Sequence, residues 1–221
     1  MQRETNHTTD TSAIGRFAGA LATFDDGRHS PAWHCFDRRF RHDTFERFAL
    51  TFERLGDVSG RRGLDVGCGS GHYIAEALRR NARHMVGIDP ALGTLELARQ
   101  RLESLGQIDQ VELIVGYFPD SLPTGAFDFA IVMGVLDYVA EPVSFLRALR
   151  QVVNGRIVVS FPSKHWLYSP LRKLRYRLRS CSVYFYDEPA IRSIAERAGF
   201  GSIDVVKIDG AGLDFHACLA P

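Results

Sequence analysis

The sequence predicts a doubly wound α/β fold with a mostly parallel seven-stranded sheet that ends in an antiparallel hairpin. Three observations predict it. From residue 61 onward, short β-prone runs alternate with helical runs, as in parallel sheets covered by helices on both faces. A glycine-rich segment, Gly67 to Gly71, separates the first strand from the helix that follows. The last two strands are joined through Asp209-Gly210, and Asp-Gly between strands is typical of a hairpin.

Two helices are expected before the sheet. Apolar spacing from Ile14 predicts a short one, and spacing from Phe45 to Leu55 predicts a second that ends at Gly56. Strands are expected at Leu64–Val66, His84–Ile88, Val111–Val115, Phe127–Met133, Arg156–Phe161, Ser202–Ile208 and Asp214–Leu219. Further helices are expected at about 71–81, 91–105, 142–152 and 188–198. The domains expected are a disordered tail at 1–12, a helical lid at 13–60, and a main domain at 61–221 with an insertion at about 162–186.

Composition limits the classes of function. The chain has 221 residues, of which 45% are hydrophobic, enough for the core of one large domain. The net charge of +1 argues against bulk electrostatic binding to nucleic acid. The four cysteines lack Cys-x-x-Cys spacing and the eight histidines lack His-x-x-x-His spacing, so neither a disulfide framework nor a metal site is expected. With no apolar leader in residues 1–12 and no apolar run long enough to span a bilayer, a cytoplasmic protein is expected.

The most informative segment is LDVGCGSGHY, from Leu64 to Tyr73. A buried strand would enter a tight turn whose glycines allow close approach of a ligand, and the next helix offers free N–H groups at its start. The second strand ends at Asp89, where an acid accepts hydrogen bonds from both hydroxyls of an adenosine ribose. An adenosine-containing ligand is therefore expected at this edge. The alternatives are a plain turn, Asp65 as a cap for the loop, and Asp89 as a surface acid.

The spacing of the glycines distinguishes between two adenosine ligands. The dinucleotide fingerprint Gly-x-Gly-x-x-Gly requires glycine where this chain has His72. The observed Gly-x-Gly-x-Gly, preceded by Asp65, resembles the first motif of the class I S-adenosylmethionine-dependent methyltransferases, and only Gly63 departs from it. The resemblance extends over about residues 61–219. It includes Asp89, Phe127-Asp128 in the fourth strand, Ala198-Gly199-Phe200 before the sixth, and the terminal hairpin.

This resemblance implies a Rossmann-like methyltransferase fold with S-adenosyl-L-methionine as the cofactor and S-adenosyl-L-homocysteine as the product. It implies that Asp65 lies near the amino end of the cofactor, that Asp89 binds the ribose and that Pro90 packs near the adenine. The residues expected to bind the cofactor are Asp65, Gly67, Cys68, Gly69, Gly71, Asp89, Pro90, Tyr117, Phe118, Met133 and Gly134.

One motif departs from the family. After the third strand the family usually has Gly-Asp-Ala, whereas this chain has Gly116-Tyr117-Phe118. An acidic contact to the adenine is therefore not expected here. Instead, Tyr117 or Phe118 would lie on or beside the ring, and a backbone group would make the polar contact.

The acceptor is expected above the fourth and fifth strands, with oxygen or nitrogen as the methylated atom. Methyl transfer from a sulfonium is an in-line displacement, so alignment of the reactants can supply roughly 7–11 kcal/mol. A general base is needed only when the nucleophile arrives protonated. Tyr138 and His165 are the candidates for catalysis and substrate contact, with His165 as the base. The alternatives are ordinary packing for Tyr138 and loop ordering for His165.

The insertion is strongly basic. Six Lys or Arg residues and no acid lie between Lys164 and Arg179, and Arg172 and Arg175 share one helical face above a leucine stripe. We expect a substrate cap that binds a small anionic acceptor or one attached to an acidic carrier protein. A solvated surface helix and a membrane-surface helix are the alternatives.

The function predicted is methyl transfer to a small molecule, without nucleic acid as partner and without stable membrane insertion. A non-catalytic S-adenosylmethionine-binding scaffold and an NAD-dependent oxidoreductase are the competing hypotheses, and His72 argues against the second.

The segment before the first motif covers the cofactor in many relatives. Arg38, Arg39 or Arg47 is therefore a candidate partner for the cofactor carboxylate, or else a surface charge. The segment after strand four and the Phe36-Asp37 segment are weakly similar to magnesium-protoporphyrin methyltransferases.

Overall fold

The computed structural model of the protein describes residues 42–122, 124–163, 184–208 and 214–221. The expected tail, the short helix from Ile14 and the turn at Asp209-Gly210 lie outside the described residues, as does most of the basic insertion. The candidate residues that fall outside them are Arg38, Arg39, His165, Arg172 and Arg175.

A single sheet of seven strands forms the centre of the fold. The strands are β1 (Arg62–Val66), β2 (His84–Asp89), β3 (Val111–Val115), β4 (Phe129–Val132), β5 (Ile157–Phe161), β6 (Ser202–Lys207) and β7 (Phe215–Ala220). The described helices are α1 (His42–Leu55), α2 (His72–Arg79), α3 (Leu92–Ser104), α4 (Pro142–Val152) and α5 (Glu188–Ala198), with a 3-10 turn at Ile108–Gln110.

The strand order is β3-β2-β1-β4-β5-β7-β6. Neighbouring strands are parallel except for β7, which runs antiparallel to both β5 and β6. This topology confirms the predicted fold class, including the terminal hairpin. The chain leaves β1 toward β2 on one side and reaches β4 on the other, so a crevice opens at the carboxyl ends of β1 and β4. Open α/β sheets bind their ligands at such a switch point.

Helices cover both faces of the sheet. Apolar residues of α1, α2 and α3 pack on one face with Met85, Phe129 and Ile131. Those of α4 and α5 pack on the other face with Leu64 and Val132. Burial on both faces explains why the central strands are continuous apolar runs rather than alternating ones.

The departure at Gly63 has a steric cause. A Cβ atom at this position would lie 2.3 Å from Cζ of Phe129 and 2.5 Å from Sδ of Met85. The larger residue that opens the motif in the family would therefore collide with two core side chains on neighbouring strands. The absence of a side chain at Gly63 leaves room for the large side chains of Phe129 and Met85.

Strand β4 is shorter than the run Phe127–Met133 predicted from the sequence. Phe127 makes an isolated bridge to Val153 before the ladder begins, and the Asp128 carboxylate accepts a hydrogen bond of 2.7 Å from the backbone N–H of Arg62. Helix α5 has the boundaries expected of it. The Asp187 carboxylate caps its start by accepting from the N–H of Ala190 at 3.0 Å.

Candidate functional site

The glycine loop between β1 and α2 is built by three glycines with positive φ angles, which are 72° at Gly67, 52° at Gly69 and 77° at Gly71. A Cβ at Gly67 would lie 2.5 Å from Val135, and one at Gly71 would lie 3.0 Å from Cβ of Ala98. Nothing lies within 4 Å of the corresponding position at Gly69. The outer two glycines therefore permit close packing within the protein, while the middle one borders open space.

Cys68 turns its side chain away from the open space, and its Sγ lies 4.0 Å from the carbonyl of Gly69 within the loop. Its side chain is buried in the core beneath α2, so close to β2 that a Cβ at Gly87 would lie 2.8 Å from its Sγ. Burial raises the pKa of this thiol well above its usual value. The backbone N–H groups of Gly67 and Cys68 both donate to the carbonyl of Ile88, at 2.7 and 3.2 Å.

Asp65 lies beneath the loop with an unsatisfied carboxylate oxygen. Its side chain is 1% exposed, and its Oδ2 has no hydrogen-bond partner. Burial, with a smaller contribution from the charge of Asp89, raises the pKa of Asp65 to about 8. A buried polar atom without a partner is costly. The oxygen is suited to accept a hydrogen bond from a cationic ligand group.

Asp89 ties the glycine loop to the start of α3. Its Oδ2 accepts from the N–H of Gly69 at 3.0 Å. Its Oδ1 accepts from the N–H of Ala91 at 2.9 Å and from the hydroxyl of Thr94 at 3.1 Å. The carboxylate is almost fully buried at the carboxyl end of β2. It therefore holds in place the two loops that flank this end of the crevice.

The two aromatic candidates after β3, Tyr117 and Phe118, differ in burial. Phe118 is buried in the core and makes an edge contact with Phe145, with ring centroids 5.2 Å apart. Tyr117 stays half-buried, and burial together with the charge of Asp89 raises its pKa. Of the pair, Tyr117 is thus the one on which the charge of Asp89 acts. Pro90, also half-buried, follows that acid directly.

Met133 and Gly134 follow β4 on the other side of the crevice. Met133 is buried, with its Sδ 3.9 Å from the hydroxyl of Thr51 in α1. Gly134 has a φ angle of 73° and open space at its Cβ position. Its N–H donates to the buried hydroxyl of Ser160 at 2.8 Å. Gly69 and Gly134 therefore leave room at the ends of β1 and β4.

The turn after β4 contains a buried acid that the sequence reasoning missed. Asp137 is 8% exposed, whereas its neighbour Tyr138, the predicted residue, is half-buried. The N–H of Tyr184 donates to the carbonyl of Asp137 at 2.9 Å. Tyr186 hydrogen bonds to the carbonyl of Leu136 at 3.3 Å, and burial with the charge of Asp137 raises its pKa to about 12. The chain that returns from the insertion thus closes against this turn.

Arg47 reaches the same edge from α1. Its Nη1 lies 3.2 Å from Oδ2 of Asp214, and both side chains are 21% exposed. Its buried Nε has no hydrogen-bond partner. Burial lowers the pKa of Arg47, but Tyr73, Asp214 and Asp137 outweigh it, so the pKa is raised. Of the three arginines considered from the sequence, this one is therefore not a free surface charge.

These residues fit an adenosine cofactor with a charged amino-acid end. At one end of the sheet, Oδ2 of Asp65 and Nε of Arg47 lack hydrogen-bond partners, and there is open space at Gly69 and Gly134.

Within the described ranges, no cluster of three or more His, Cys, Asp or Glu residues could hold a metal ion. Among the helices of the same ranges, none combines the length and apolarity that crossing a membrane requires.

Comparison with solved structures supports the fold. Magnesium protoporphyrin IX methyltransferase from Synechocystis, with bound S-adenosylhomocysteine, superposes with a TM-score of 0.75 at 19% identity, covering 96% of this chain and all of that one. A methyltransferase from Aquifex aeolicus, described as S-adenosylmethionine-dependent, has a TM-score of 0.64 at 20% identity, covering 91% of this chain and 97% of its own.

Comparison with characterised sequences gives the family. A tRNA U34 carboxymethyltransferase from Colwellia psychrerythraea is 30% identical over 93% of this chain and 65% of its own length. A ubiquinone biosynthesis O-methyltransferase from Azorhizobium caulinodans is 32% identical over 72% and 65%. The chain thus spans slightly under two thirds of the length of these relatives. A methyltransferase-domain family model matches residues 40–205. The chain therefore belongs to the class I S-adenosylmethionine-dependent methyltransferases.

Proposed function

We propose that this protein methylates an oxygen or nitrogen atom of a small-molecule acceptor at the carboxyl ends of β1, β4 and β5. The observation that carries the proposal is the buried, unpartnered Oδ2 of Asp65 near the carboxyl end of β1, the end of the sheet where Gly69 and Gly134 border open space. The relative named as a ubiquinone biosynthesis O-methyltransferase supports oxygen as the acceptor atom. The near-balanced charge of the chain supports a small molecule over a nucleic acid.

The cofactor would be held at both of its ends. Asp65 would accept from the ammonium group of the methionine portion, and Asp89 would accept from the ribose hydroxyls with the lone pairs that remain. Backbone at Gly67 and Gly69 would border the methionine portion. Pro90 and Tyr117 would flank the adenine. When bound, S-adenosylmethionine supplies a methyl group already activated on a sulfonium, so the protein's task is to align the acceptor and exclude water.

Arg47 would bind the carboxylate of the methionine portion. Its Nε is buried and unpartnered, and its Nη1 is held by Asp214. A guanidinium with a free N–H beside a fixed one is well suited to a carboxylate. Tyr73, on the helix that follows the glycine loop, interacts with the same guanidinium. The N-terminal helix α1 would thereby serve as part of the lid.

The acceptor would lie between Tyr138, after β4, and the basic insertion after β5. There, His165 would take the proton of a protonated nucleophile, and Arg172 and Arg175 would attract an anionic acceptor. The buried Asp137 lies in the same turn as Tyr138. A hydroxyl or amine acceptor would find its proton acceptor among these groups.

A second candidate acceptor is tRNA. The relative named as a tRNA U34 carboxymethyltransferase matches nearly the whole chain, and the six basic residues from Lys164 to Arg179 would suit phosphate groups. We favour the small molecule because the charge of the chain as a whole is balanced. A non-catalytic scaffold would have its acceptor space filled by side chains.

Thermal denaturation with added ligands tests the proposal. S-adenosylhomocysteine at about 100 times its Kd should add about 2.7 kcal/mol to the free energy of unfolding, and NAD at the same concentration should add nothing. Radiolabelled S-adenosylmethionine should then label small hydroxylated or amino acceptors and not bulk tRNA. A shift with NAD alone would reject the cofactor assignment, and labelled tRNA would favour the second candidate.

The open space at Gly69 gives a matched pair of variants. Gly69→Ala places a methyl group toward the crevice, and Gly60→Ala places one at a distant turn with a φ angle of 70° and equally open surroundings. Both should lose about 1 kcal/mol of stability, because alanine pays for the left-handed backbone. Only Gly69→Ala should weaken S-adenosylhomocysteine binding, by at least about tenfold, measured by calorimetry. Equal affinities would place the ligand elsewhere.

A further inference from the structure

A buried chain of hydrogen bonds joins β7 to α1. His216 and Thr51 are both fully buried, and Nε2 of His216 lies 3.1 Å from the hydroxyl of Thr51. That hydroxyl lies 2.7 Å from the carbonyl of Arg47, to which it donates. On the other side of the imidazole, Nη1 of Arg54 lies 3.4 Å from Nδ1 of His216 and donates to its carbonyl at 2.9 Å.

The donor and acceptor roles in this series of hydrogen bonds follow from the groups at its two ends. Arginine can only donate, so Nδ1 of His216 must accept and the ring proton must lie on Nε2. The Nε2–H then donates to Thr51, whose own hydroxyl hydrogen goes to the carbonyl of Arg47. Burial, with the positive charges of Arg54 and Arg47, lowers the pKa of His216 to about 3. The ring therefore stays neutral at ordinary pH, and the donor and acceptor roles of these hydrogen bonds do not change.

The chain ends at the residue proposed to bind the cofactor carboxylate. Thr51 lies one turn after Arg47 on the same side of α1, and Tyr73 interacts with both side chains. Phe48, in the intervening turn, packs on the Tyr73 ring at 5.0 Å between centroids. A rotation of α1 about its axis would break a buried hydrogen bond at Thr51, which is costly. The contact of Thr51 with His216 in β7 thus holds α1 in one orientation about its axis. The Arg47 guanidinium is held in position with the helix.

We infer that Thr51 and His216 are positioning residues that hold the Arg47 guanidinium where it meets the carboxylate of the cofactor. This inference rests on the proposed function, in which Arg47 binds that carboxylate. It assigns to β7, a strand distant from the glycine loop in sequence, a part in binding the amino-acid end of the cofactor. Neither residue needs to contact the cofactor.

Two ligands distinguish positioning from a general structural role. S-adenosylhomocysteine carries the amino-acid end, whereas 5′-methylthioadenosine has the nucleoside and the sulfur without it. Thr51→Val keeps the shape of the side chain and removes the hydroxyl. It should raise the Kd of S-adenosylhomocysteine about three- to tenfold and leave the Kd of 5′-methylthioadenosine unchanged. Thr51→Ser, which restores the hydroxyl, should return the Kd to the parent value.

The control lies on the same strand and the same helix. Cys218, two residues after His216, approaches the carbonyl of Arg54 at 3.8 Å, so Cys218→Ala loosens α1 at its other end. It should lower the melting temperature and leave both Kd values unchanged. Equal weakening of the two ligands by Thr51→Val, or equal effects of Thr51→Val and Cys218→Ala, would overturn the inference.

A further variant separates this inference from the proposed function. Arg47→Gln should weaken S-adenosylhomocysteine about tenfold or more and spare 5′-methylthioadenosine. If Arg47→Gln has no effect on either ligand, the assignment of Arg47 and the inference both fail, while the binding site itself stands. If Arg47→Gln acts as expected and Thr51→Val does not, the inference alone fails.

Discussion

Replacing Asp65 by asparagine should stabilise the ligand-free protein at pH 8 and, in the same variant, weaken cofactor binding. The two effects have opposite signs because Oδ2 of the buried carboxylate lacks a hydrogen-bond partner in the ligand-free protein and, in the proposed site, would gain one from the cofactor. Burial raises the pKa of Asp65 from 3.8 to about 8. Ionising it in the folded protein is therefore unfavourable, and asparagine removes that cost while keeping the shape of the side chain.

The sign of the pH dependence follows from the raised pKa. The folded protein retains a proton on Asp65 that the unfolded chain loses near pH 4, so this contribution to stability is full below pH 4 and is lost as the pH rises through 8. The slope is about 1.4 kcal/mol per pH unit, on the order of 5 kcal/mol in total. Asp65→Asn should flatten this decline in urea denaturation measured from pH 5 to pH 9.

Cofactor binding should respond in the opposite sense. In the proposed site the ammonium group of S-adenosylhomocysteine would meet Asp65, so the affinity of this ligand for the parent should rise from pH 6 to pH 8 as the carboxyl group ionises. Asp65→Asn should lose that rise and bind at least about tenfold more weakly at pH 8. Asp109→Asn, at an exposed carboxyl on the 3-10 turn, is the control. A variant with parent affinity at pH 8 would show that Asp65 does not face the cofactor.

Asp89→Ala should lose S-adenosylhomocysteine binding by about two orders of magnitude or more. The substitution would remove the proposed acceptor for the ribose hydroxyls. It would also remove three hydrogen bonds inside the protein, from Gly69, Ala91 and Thr94. Bonds to a charged acceptor contribute about 1.5–3 kcal/mol each. The free energy of unfolding should fall by several kcal/mol, and the shift in melting temperature with ligand should vanish.

Two milder variants separate the loss of ligand from the loss of stability. Asp89→Asn keeps an oxygen for Ala91 and Thr94 but cannot accept from Gly69, so it should release the glycine loop. Thr94→Val removes the hydroxyl that lies 3.1 Å from Oδ1 of Asp89 and 2.7 Å from the carbonyl of Ala91. It should lower stability by about 1 kcal/mol without changing the Kd. If Asp89→Ala binds as well as the parent, the ribose assignment is wrong.

Local sequence patterns predicted the fold well because glycines and helix-capping residues occur where the backbone conformation requires them. The glycine loop needs positive φ angles at Gly67, Gly69 and Gly71, and glycine is the residue that adopts them at low cost. The boundaries of α5 follow from its Asp187 cap and the left-handed Gly199. Even the departure at Gly63 follows a simple rule, because its missing side chain makes room for Phe129 and Met85.

The contacts that the sequence did not predict join distant parts of the chain. Arg47 pairs with Asp214 across 167 residues, and Thr51 meets His216 across 165. No spacing rule connects such positions, so Arg47 could be named only as one of three candidates. Phe118 shows the complementary limit. The motif places it beside Tyr117, but its apolar ring is buried against Phe145. The roles of His165, Arg172 and Arg175 stay predictions.

The antiparallel strand β7 has a consequence for synthesis on the ribosome. Helix α1 is made early and β7 last among the described elements, yet α1 packs on β5 and β7. Thr51 and Arg54 bond to His216 of β7, and Arg47 pairs with Asp214 just before it. The glycine loop and Asp89 emerge close together in the chain, with the partners of Asp89 at Gly69, Ala91 and Thr94. The ion pair of Arg47 and the hydrogen bond between Thr51 and His216 must wait for the final strand. A nascent chain halted before Asp214 would therefore have the glycine loop and Asp89 in place, without the contacts that hold Arg47.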